Sequence, residues 1–248
     1  MRQLLPHLID DADPVALYAA DARPRPADRP WVMVNMISSV DGATAVAQRS
    51  GGLGGPADRQ VFRALRELPD AILVGASTVR TEGYGPVRLE HEAVKRRRER
   101  GQQDTARLVI VSGSLELDAT SSLFTESEIA PIIVTSASAD GRRRRELSTV
   151  AEVVVVGNER VSMHDTLRRL RTMGVGTVLC EGGPIVNAQL MAGDLIDEWC
   201  QTYSPMLVGG NSTRVAVGDE VSDPLPHLRL RRLLEQDGML MADYVRTR

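Results

Sequence analysis

Carboxylates and glycines follow the apolar runs of this sequence, at positions where a folded chain can present them to a ligand. The apolar run 178–180 ends at Glu181, Gly182 and Gly183, and a helix-compatible segment, 185–190, comes next. An aliphatic, β-branched run is typical of a buried parallel strand, and paired glycines let backbone N–H groups approach a phosphate where a helix begins. Gly-Gly-Pro is also an ordinary tight turn, so these residues alone leave both interpretations open.

We call a glycine-containing junction between a strand and a helix a glycine corner, and a second such junction lies earlier in the chain. The strand-like run 71–74 leads into Gly75, and Ser77 and Thr78 follow closely. A glycine and two hydroxyl residues at a strand end favour a helix start whose N–H groups face the crevice above a sheet. The sequence therefore contains two predicted helix starts that suit phosphate oxygens.

Two carboxylates stand near the first strong strand pattern. Asp41 follows the apolar run 31–37 in a loop rich in glycine, and Asp58 lies in the first turn of a helix predicted at 56–68. Phe62 is one helical turn beyond Asp58, so the acid and the aromatic ring share one helix face. Asp41-Gly42 is equally typical of a plain turn, and an acid in a first turn is stabilised by the helix dipole.

Composition restricts the function classes. A chain of 248 residues with 42% hydrophobic and 25% charged content fits one large α/β domain or two small ones. A net charge of −3, a pI near 5.9 and few aromatic residues argue against a nucleic-acid surface. We find no signal-peptide pattern and no apolar run long enough for a membrane span, so a cytoplasmic protein is expected.

Cysteine and histidine positions predict no metal site. Cys180 and Cys200 lie in apolar runs and read as small buried core residues, and the four histidines lack ligand spacing. The arginine runs at 95–98 and 142–145 are predicted to be solvated helix faces without a functional role.

The order of the elements predicts the fold class. Strands are expected at 31–37, 71–74, 108–111, 132–134, 153–156 and 178–180, and helices at 56–68, 90–100, 140–147, 164–173 and 185–190. Such alternation is typical of a single α/β domain with a mainly parallel central sheet and helices on both faces.

The two ends of the chain differ from this pattern. Strand-like segments are expected at 196–203, 228–234 and 239–244; the last two flank Asp237-Gly238, a turn signal, and predict a C-terminal antiparallel hairpin. The apolar stretch 199–203 is expected to form an exposed sheet edge, which would favour a closed homodimer. Residues 1–30 are rich in proline and are predicted to be an N-terminal arm with one short helical patch near 15–18, followed by one domain at 31–248.

Five motifs in a fixed order carry a resemblance to a known family. They are VDG at 40–42, GASTV at 75–79, EGGP at 181–184, LIDE at 195–198 and PMLVGG at 205–210. Together they resemble the reductase domain at the carboxyl terminus of the bifunctional riboflavin-pathway deaminase-reductase, over about residues 31–246.

The resemblance implies a dihydrofolate-reductase-like fold, NADPH as hydride donor and a homodimer. It also implies reduction of the ribose of 5-amino-6-(5-phosphoribosylamino)uracil to a ribityl chain. The zinc motif of the deaminase half has no counterpart in this sequence, so a stand-alone reductase is expected.

Site residues are carried over by matching position. The resemblance implies cofactor contacts from Gly75, Ser77, Thr78, Ser112, Thr135, Gly182 and Gly183. It implies catalytic or substrate-side roles for Asp41, Arg66, Glu82, Arg88 and Glu181. For the hydroxyls at 112 and 135, capping of their own backbone is an equally good interpretation.

One departure bears on the substrate. The riboflavin reductases commonly have a lysine on the first strand, where this chain has Asn35. Pro56-Ala57-Asp58 with Phe62 instead resembles the helix of dihydrofolate reductase whose acid binds the pterin. A uracil edge offers one N–H between two carbonyls, whereas a 2-amino-4-oxo edge offers two adjacent N–H groups that one carboxylate accepts together.

The functional prediction is hydride transfer from NADPH to an electrophilic carbon, with the phosphoribosylamino-uracil as first-choice substrate. Dihydrofolate is the alternative, because Asn35 and Asp58 favour a pterin. A non-catalytic nucleotide-binding sensor is the further alternative, since a fold does not fix a function.

Overall fold

The computed structural model describes residues 1–218 and 225–247. Its strands are β1 Arg2–Leu5, β2 Trp31–Ser39, β3 Ala71–Gly75, β4 Arg107–Val111, β5 Ile132–Thr135, β6 Glu152–Val155, β7 Thr177–Cys180, β8 Glu198–Ser204, β9 Leu228–Gln236 and β10 Met239–Arg246. Its α-helices are α1 Pro14–Ala19, α2 Pro56–Arg66, α3 Ala76–Glu82, α4 His91–Glu99, α5 Ser122–Thr125, α6 Gly141–Leu147, α7 Met163–Thr172 and α8 Pro184–Ala192. The predicted strands and helices are present, and β1 and α5 are additions.

Residue contacts divide the chain into two compact units. The first consists of Met1–Pro24, Trp31–Arg66 and Leu179–Arg248, and the second of Arg25–Pro30 and Glu67–Val178. The predicted arm supplies β1 and α1 to the first unit, where Tyr18 is buried. A single domain at 31–248 stays a prediction.

The first unit contains a mixed sheet with the strand order β1-β9-β10-β8-β2. β9 and β10 form the predicted antiparallel hairpin, and positive φ angles at Asp237 (54°) and Gly238 (78°) make its two-residue turn. β8 pairs with β10 on one side and with β2 on the other. The prediction that 199–203 forms an exposed sheet edge is therefore wrong, because both edges of β8 are hydrogen-bonded.

The second unit contains four parallel strands in the order β3-β4-β5-β6. All five residues of β3 are buried, as a strand covered on both faces requires. A core of aliphatic side chains from β3, β4 and β5 packs with Phe124 and Leu147 from the helices. β7 lies at the division between the units. The predicted α/β class with a C-terminal antiparallel hairpin is confirmed.

One arginine differs from the solvated face predicted at 95–98. Arg97 is 0% exposed, and its guanidinium donates to the carbonyl oxygens of Glu67, Pro69 and Gln103 at 2.7 to 2.9 Å. Burial lowers its pKa to about 10. Arg97 is a structural residue that satisfies loop carbonyls, a role that the charge run in the sequence does not reveal.

A buried ion network joins the end of α1 to β8, β9 and β10. Glu198 accepts from Arg23, Arg231 and the indole N–H of Trp31. Asp243 accepts from Arg231 at 2.8 Å and from Arg232 at 3.2 Å. Charges held away from water need such pairing, so the network fixes the N-terminal segment against the hairpin.

Cys180 and Cys200 are free and buried, as predicted.

Among residues 1–218 and 225–247, no helix has the length and apolar content that crossing a bilayer requires.

Candidate active site

Three side chains that the sequence singles out lie along one face of α2. Asp58, Phe62 and Arg66 are spaced four residues apart, so they follow one another along the helix. The adjoining face carries Ala57, Val61, Ala64 and Leu65, which are buried in the core. The apolar face therefore holds the helix in place while the other presents an acid, a ring and a guanidinium in a row.

Asp58 sits largely out of solvent. The hydroxyl of Thr202, on β8, donates a hydrogen bond to its carboxylate. A Cβ added at Gly54 would lie 2.9 Å from Asp58 Oδ2, so this glycine leaves room for the acid. Burial raises the pKa of Asp58, and the hydrogen bond from Thr202 and the charge of Arg59 oppose that shift. A half-buried carboxylate of this kind is suited to accept N–H groups from a ligand.

Arg66 and Glu181 bind each other. The guanidinium Nε and Nη2 of Arg66 donate to the two carboxylate oxygens of Glu181, both at 2.7 Å. The side chain of Glu181 is only 3% exposed, and that of Arg66 is 22% exposed. The Arg66 guanidinium also lies 4.2 Å from the centroid of the Phe62 ring. This bidentate geometry fixes the plane of the guanidinium.

Asn35 lies on β2 opposite Cys200, and Ile37 lies opposite Thr202. Paired residues of parallel strands project to the same face, and residues two apart share a face. Asn35 therefore shares the face of the sheet on which Thr202 meets Asp58. In the first unit, the face of the sheet that meets Asp58 through Thr202 thus also carries Asn35.

Gly182 and Gly183 lead from β7 into α8. Gly182 has φ +86°, a conformation that favours glycine, and the peptide between the two glycines is cis. An added Cβ at Gly182 would lie 3.4 Å from Met36 Sδ and 3.7 Å from Asn187 Nδ2. Gly183 is the N-cap of α8 and offers no side chain to the first-turn N–H groups. Those N–H groups suit an anion.

Asp41 follows β2 and accepts hydrogen bonds from the backbone N–H groups of Val208 and Gly209, the latter at 2.7 Å. The hydroxyl of Ser39 donates to the same carboxylate. These three bonds lower the pKa of Asp41, the Ser39 contribution being the largest. A cleft of about 430 Å³ beside Asp41 is lined by Ser38, Gln201, Tyr203, Gly210 and Arg214, among others.

The second unit carries the remaining predicted residues. Gly75 is buried at the end of β3 and is the N-cap of α3, again without a side-chain cap; Ser77 is exposed and Thr78 is half-buried. Glu82 is the last residue of α3. Arg88 is exposed and pairs with Glu126 at 2.7 Å.

The two strand-end hydroxyls behave differently. Ser112 Oγ accepts the backbone N–H of Leu115 at 2.9 Å, so it caps its own loop. Thr135 Oγ1 is buried and has no hydrogen-bond partner among the described residues. An orphaned hydroxyl at the end of β5 is the kind of group that a ligand can satisfy.

Sequence reasoning missed two residues of the first unit. Thr202 is recognised as a site residue only through its hydrogen bond to Asp58 in the folded protein. Its position as a polar residue within a buried strand was only a weak signal in the sequence. Asn187 is fully buried in α8, between Cys180 and the carbonyl of Val215. A polar residue in the middle of an apolar helix was the signal for it.

Comparisons with known proteins identify the family of this chain. A family model described as the RibD C-terminal domain matches residues 30–239. The chain belongs to the RibD C-terminal domain family. The 2,5-diamino-6-ribosylamino-4(3H)-pyrimidinone 5′-phosphate reductase of Methanothermobacter thermautotrophicus is 31% identical over 220 residues, which cover 87% of this chain and 98% of that protein.

Two solved structures are similar to the chain. The pyrimidine reductase-like protein of Corynebacterium diphtheriae is 26% identical, with a TM-score of 0.85 over 96% of this chain and 100% of that one. The dihydrofolate reductase of Enterococcus faecalis is 11% identical, with a TM-score of 0.52 over 88% of this chain and 97% of that one. The latter supports the fold alone. The predictions of the family and of an oxidoreductase are confirmed.

Proposed function

We propose that this RibD-family protein uses NADPH to reduce the ribosylamino group of a pyrimidine 5′-phosphate. The uracil favoured by the sequence and the pyrimidinone in the name of the archaeal relative both carry a phosphorylated ribose and differ at position 2 of the ring. We propose that the 2-amino-4-oxo pyrimidine is the substrate.

The environment of Asp58 carries this proposal. A 2-amino-4(3H)-pyrimidinone presents two adjacent N–H groups, and an ionised carboxylate accepts both. A uracil presents a carbonyl oxygen at position 2, which repels a carboxylate. Burial raises the pKa of Asp58, and the hydroxyl of Thr202 and the charge of Arg59 oppose that rise by favouring the carboxylate. A lysine on β2 would donate to a uracil carbonyl, but this chain has Asn35 at that position.

The length of α2 also suits a phosphoribosylamino-pyrimidine. Asp58 and Arg66 are eight residues apart, which is about 12 Å along a helix. Phe62 lies between them and offers a ring surface. We propose that Asp58 binds the base edge, and that Arg66, oriented by Glu181, directs its guanidinium to the phosphate end.

Two helix starts without a side-chain cap support the proposal that NADPH is bound. In the first unit, α8 begins at Gly183 without a side-chain cap, and in the second unit α3 begins at Gly75 in the same way. We propose Gly182, Gly183, Gly75, Ser77 and Thr78 as phosphate contacts. The unpartnered hydroxyl of Thr135 is a proposed contact on the adenosine side, whereas Ser112 is already engaged by Leu115.

NADPH supplies the hydride when it is bound, and the side chains of the chain bind and orient the pyrimidine. The carboxylate of Asp58 fixes the ring by accepting two N–H groups. Glu181 holds the Arg66 guanidinium in one plane, which limits the motion of the phosphate end and aligns the reacting carbon. Glu82 and Arg88 remain proposed substrate contacts in the second unit.

The test is a comparison of three substrates with the purified protein. Loss of NADPH fluorescence should follow addition of the 2-amino pyrimidinone, with slower turnover of the uracil. Dihydrofolate is the second candidate, because its pterin has the same donor pair and would also satisfy Asp58. Turnover of dihydrofolate alone would overturn the pyrimidine assignment, and NADPH binding without turnover of any of the three would favour the sensor.

We propose a homodimer that uses one face of β8 and β10. Tyr203 pairs in register with Leu240, and Trp199 pairs with Tyr244. Tyr203 is 38% exposed and Leu240 is 37% exposed, so these neighbouring side chains leave apolar area for a second copy. Light scattering should give twice the 27.0 kDa chain mass; the mass of one chain would refute the dimer.

A cytoplasmic location also remains a proposal, supported by two cysteines that are free.

A further inference from the structure

The segment that follows β8 is held by hydrogen bonds at both of its ends. Residues 206–217, which we call the strap, run from the loop after β2 to the start of α8. All of these elements belong to the first unit. The hydrogen bonds at the two ends show what holds the strap and what it touches.

The loop after β2 holds the first end of the strap. Asp41 accepts the N–H groups of Val208 and Gly209. The N–H of Val40 donates to the carbonyl of Met206 at 3.1 Å. Thr44 adds two further bonds, because its N–H donates to Ser212 Oγ at 3.0 Å and its hydroxyl donates to the carbonyl of Thr213 at 2.9 Å.

The other end of the strap reaches the Gly182–Gly183 corner. The amide Nδ2 of Asn187 donates to the carbonyl of Val215 at 2.7 Å. The N–H of Val217 donates to the carbonyl of Pro184, the first residue of α8, at 3.1 Å. Asn187 Nδ2 is also the group that an added Cβ at Gly182 would meet at 3.7 Å. A continuous series of contacts therefore leads from Asp41 to Gly182.

The chemistry of Asp41 argues against a proton donor. Its oxygens accept three donors, and the resulting low pKa keeps the carboxylate ionised at neutral pH. A simple turn does not explain these bonds either. The turn at this point is closed by the N–H of Gly42 and the carbonyl of Ser39, which needs no carboxylate.

We propose that Asp41 is a positioning residue that acts through the strap. It fixes residues 206–217, and Asn187 and Pro184 transmit that position to the corner at Gly182 and Gly183. The inference rests on the proposed function, in which this corner contacts NADPH. Asp41 thus governs cofactor affinity without touching the reacting atoms.

The test uses Asp41→Asn and Thr44→Val, which weaken the same end of the strap by different bonds. Asp41→Asn places an amide N–H where the strap presents its own N–H groups. Asp118→Asn is the matched control, because Asp118 is also an exposed loop carboxylate that accepts a backbone N–H, from Thr120 at 2.9 Å. Each variant is measured for NADPH affinity, for the KM of each substrate and for amide hydrogen exchange.

Asp41→Asn should weaken NADPH binding about tenfold, as expected for loss of one charge-assisted hydrogen bond. The KM for NADPH should rise while the KM for the pyrimidine changes little. Thr44→Val should shift the same values by a smaller factor, and Asp118→Asn should match the wild type. Hydrogen exchange should quicken in the strap and also at 182–187.

Wild-type NADPH affinity in Asp41→Asn and Thr44→Val would overturn the inference, as would exchange that quickens in the strap but not at 182–187. A folding failure of Asp41→Asn leaves Thr44→Val to decide by the same criteria. Should the wild type bind no NADPH, the proposed function fails. The positioning role of Asp41 would still be decided by exchange at 182–187, because that readout needs no cofactor.

Discussion

Asp58→Asn is the substitution that most directly tests how the substrate is recognised. The new side chain has the same shape, and its amide can still accept one N–H through Oδ1. Its NH₂ group replaces the second acceptor and faces the second N–H of a 2-amino-4-oxo pyrimidine. The same amide matches a uracil edge, because it accepts the ring N–H and donates to the neighbouring carbonyl.

The expected magnitude follows from these contacts. The variant loses one charge-assisted hydrogen bond and leaves one N–H of the ligand facing a donor, which costs about 1.5 to 4 kcal/mol. In kcat/KM for the 2-amino pyrimidinone this corresponds to a loss of about 10- to 1,000-fold. Turnover of the uracil should stay the same or rise, so the ratio of the 2-amino pyrimidinone kcat/KM to the uracil kcat/KM should fall by at least as much as the first value alone.

The assay is steady-state oxidation of NADPH with each pyrimidine for the wild type and the variant. Thermal unfolding of both proteins controls for stability, and Asp58→Ala, which removes both acceptors, should lose turnover of the 2-amino pyrimidinone. An unchanged ratio of kcat/KM values in Asp58→Asn would refute the reasoning. Asp58 would then be only an acid that stabilises the start of α2 through the helix dipole.

Three further predictions follow from particular contacts. Burial raises the pKa of Asp58, so kcat/KM should fall on acidification through a pKa above that of an ordinary aspartate. Because the folded state binds this proton more tightly than the unfolded state, the stability that Asp58 contributes is complete below its pKa in the unfolded chain and is lost as the pH rises through its pKa in the folded protein. The pH profiles of activity and of stability in Asp58→Asn should lack both effects. Arg231→Met should lower the free energy of unfolding, measured by denaturant titration, by about 3 to 5 kcal/mol, because it leaves Glu198 and Asp243 short of a buried partner. The control is Arg98→Met, at an exposed pair with Asp104, which should leave the denaturant midpoint nearly unchanged. Gly183→Val should abolish NADPH binding in a titration while thermal unfolding stays cooperative, because the side chain would occupy the space at the first turn of α8; unchanged affinity would show that the phosphate contacts lie elsewhere.

The sequence predicted the elements of this protein well where their signals are local. Apolar runs gave the strands, Pro56 marked the start of α2, and Asp237-Gly238 marked the hairpin turn. Glycine corners at the ends of β3 and β7 were visible because a glycine that follows an apolar run needs no distant partner to be recognised. The order of five motifs was enough to give the family.

The partners of the polar residues depend on the tertiary structure. Arg66 meets Glu181 across 115 positions of sequence, and Asp41 meets Val208 across 167. Each side chain was predicted from the sequence as a separate ligand contact, whereas the fold pairs it with another part of the protein. Arg97 shows the same limit, because a charge run does not say which of its members will meet loop carbonyls in the interior.

The sequence by itself determined which residues could do chemistry, because residue type and local periodicity fix the groups on one helix face or at one strand end. Only the tertiary structure decided what surrounds them, because strand register joins residues far apart in the chain. The pairing of β2 with β8 places Asn35 and Thr202 on one face, where α2 presents Asp58. Burial and hydrogen bonding at that meeting point set the pKa of Asp58, and those conditions exist only in the folded protein.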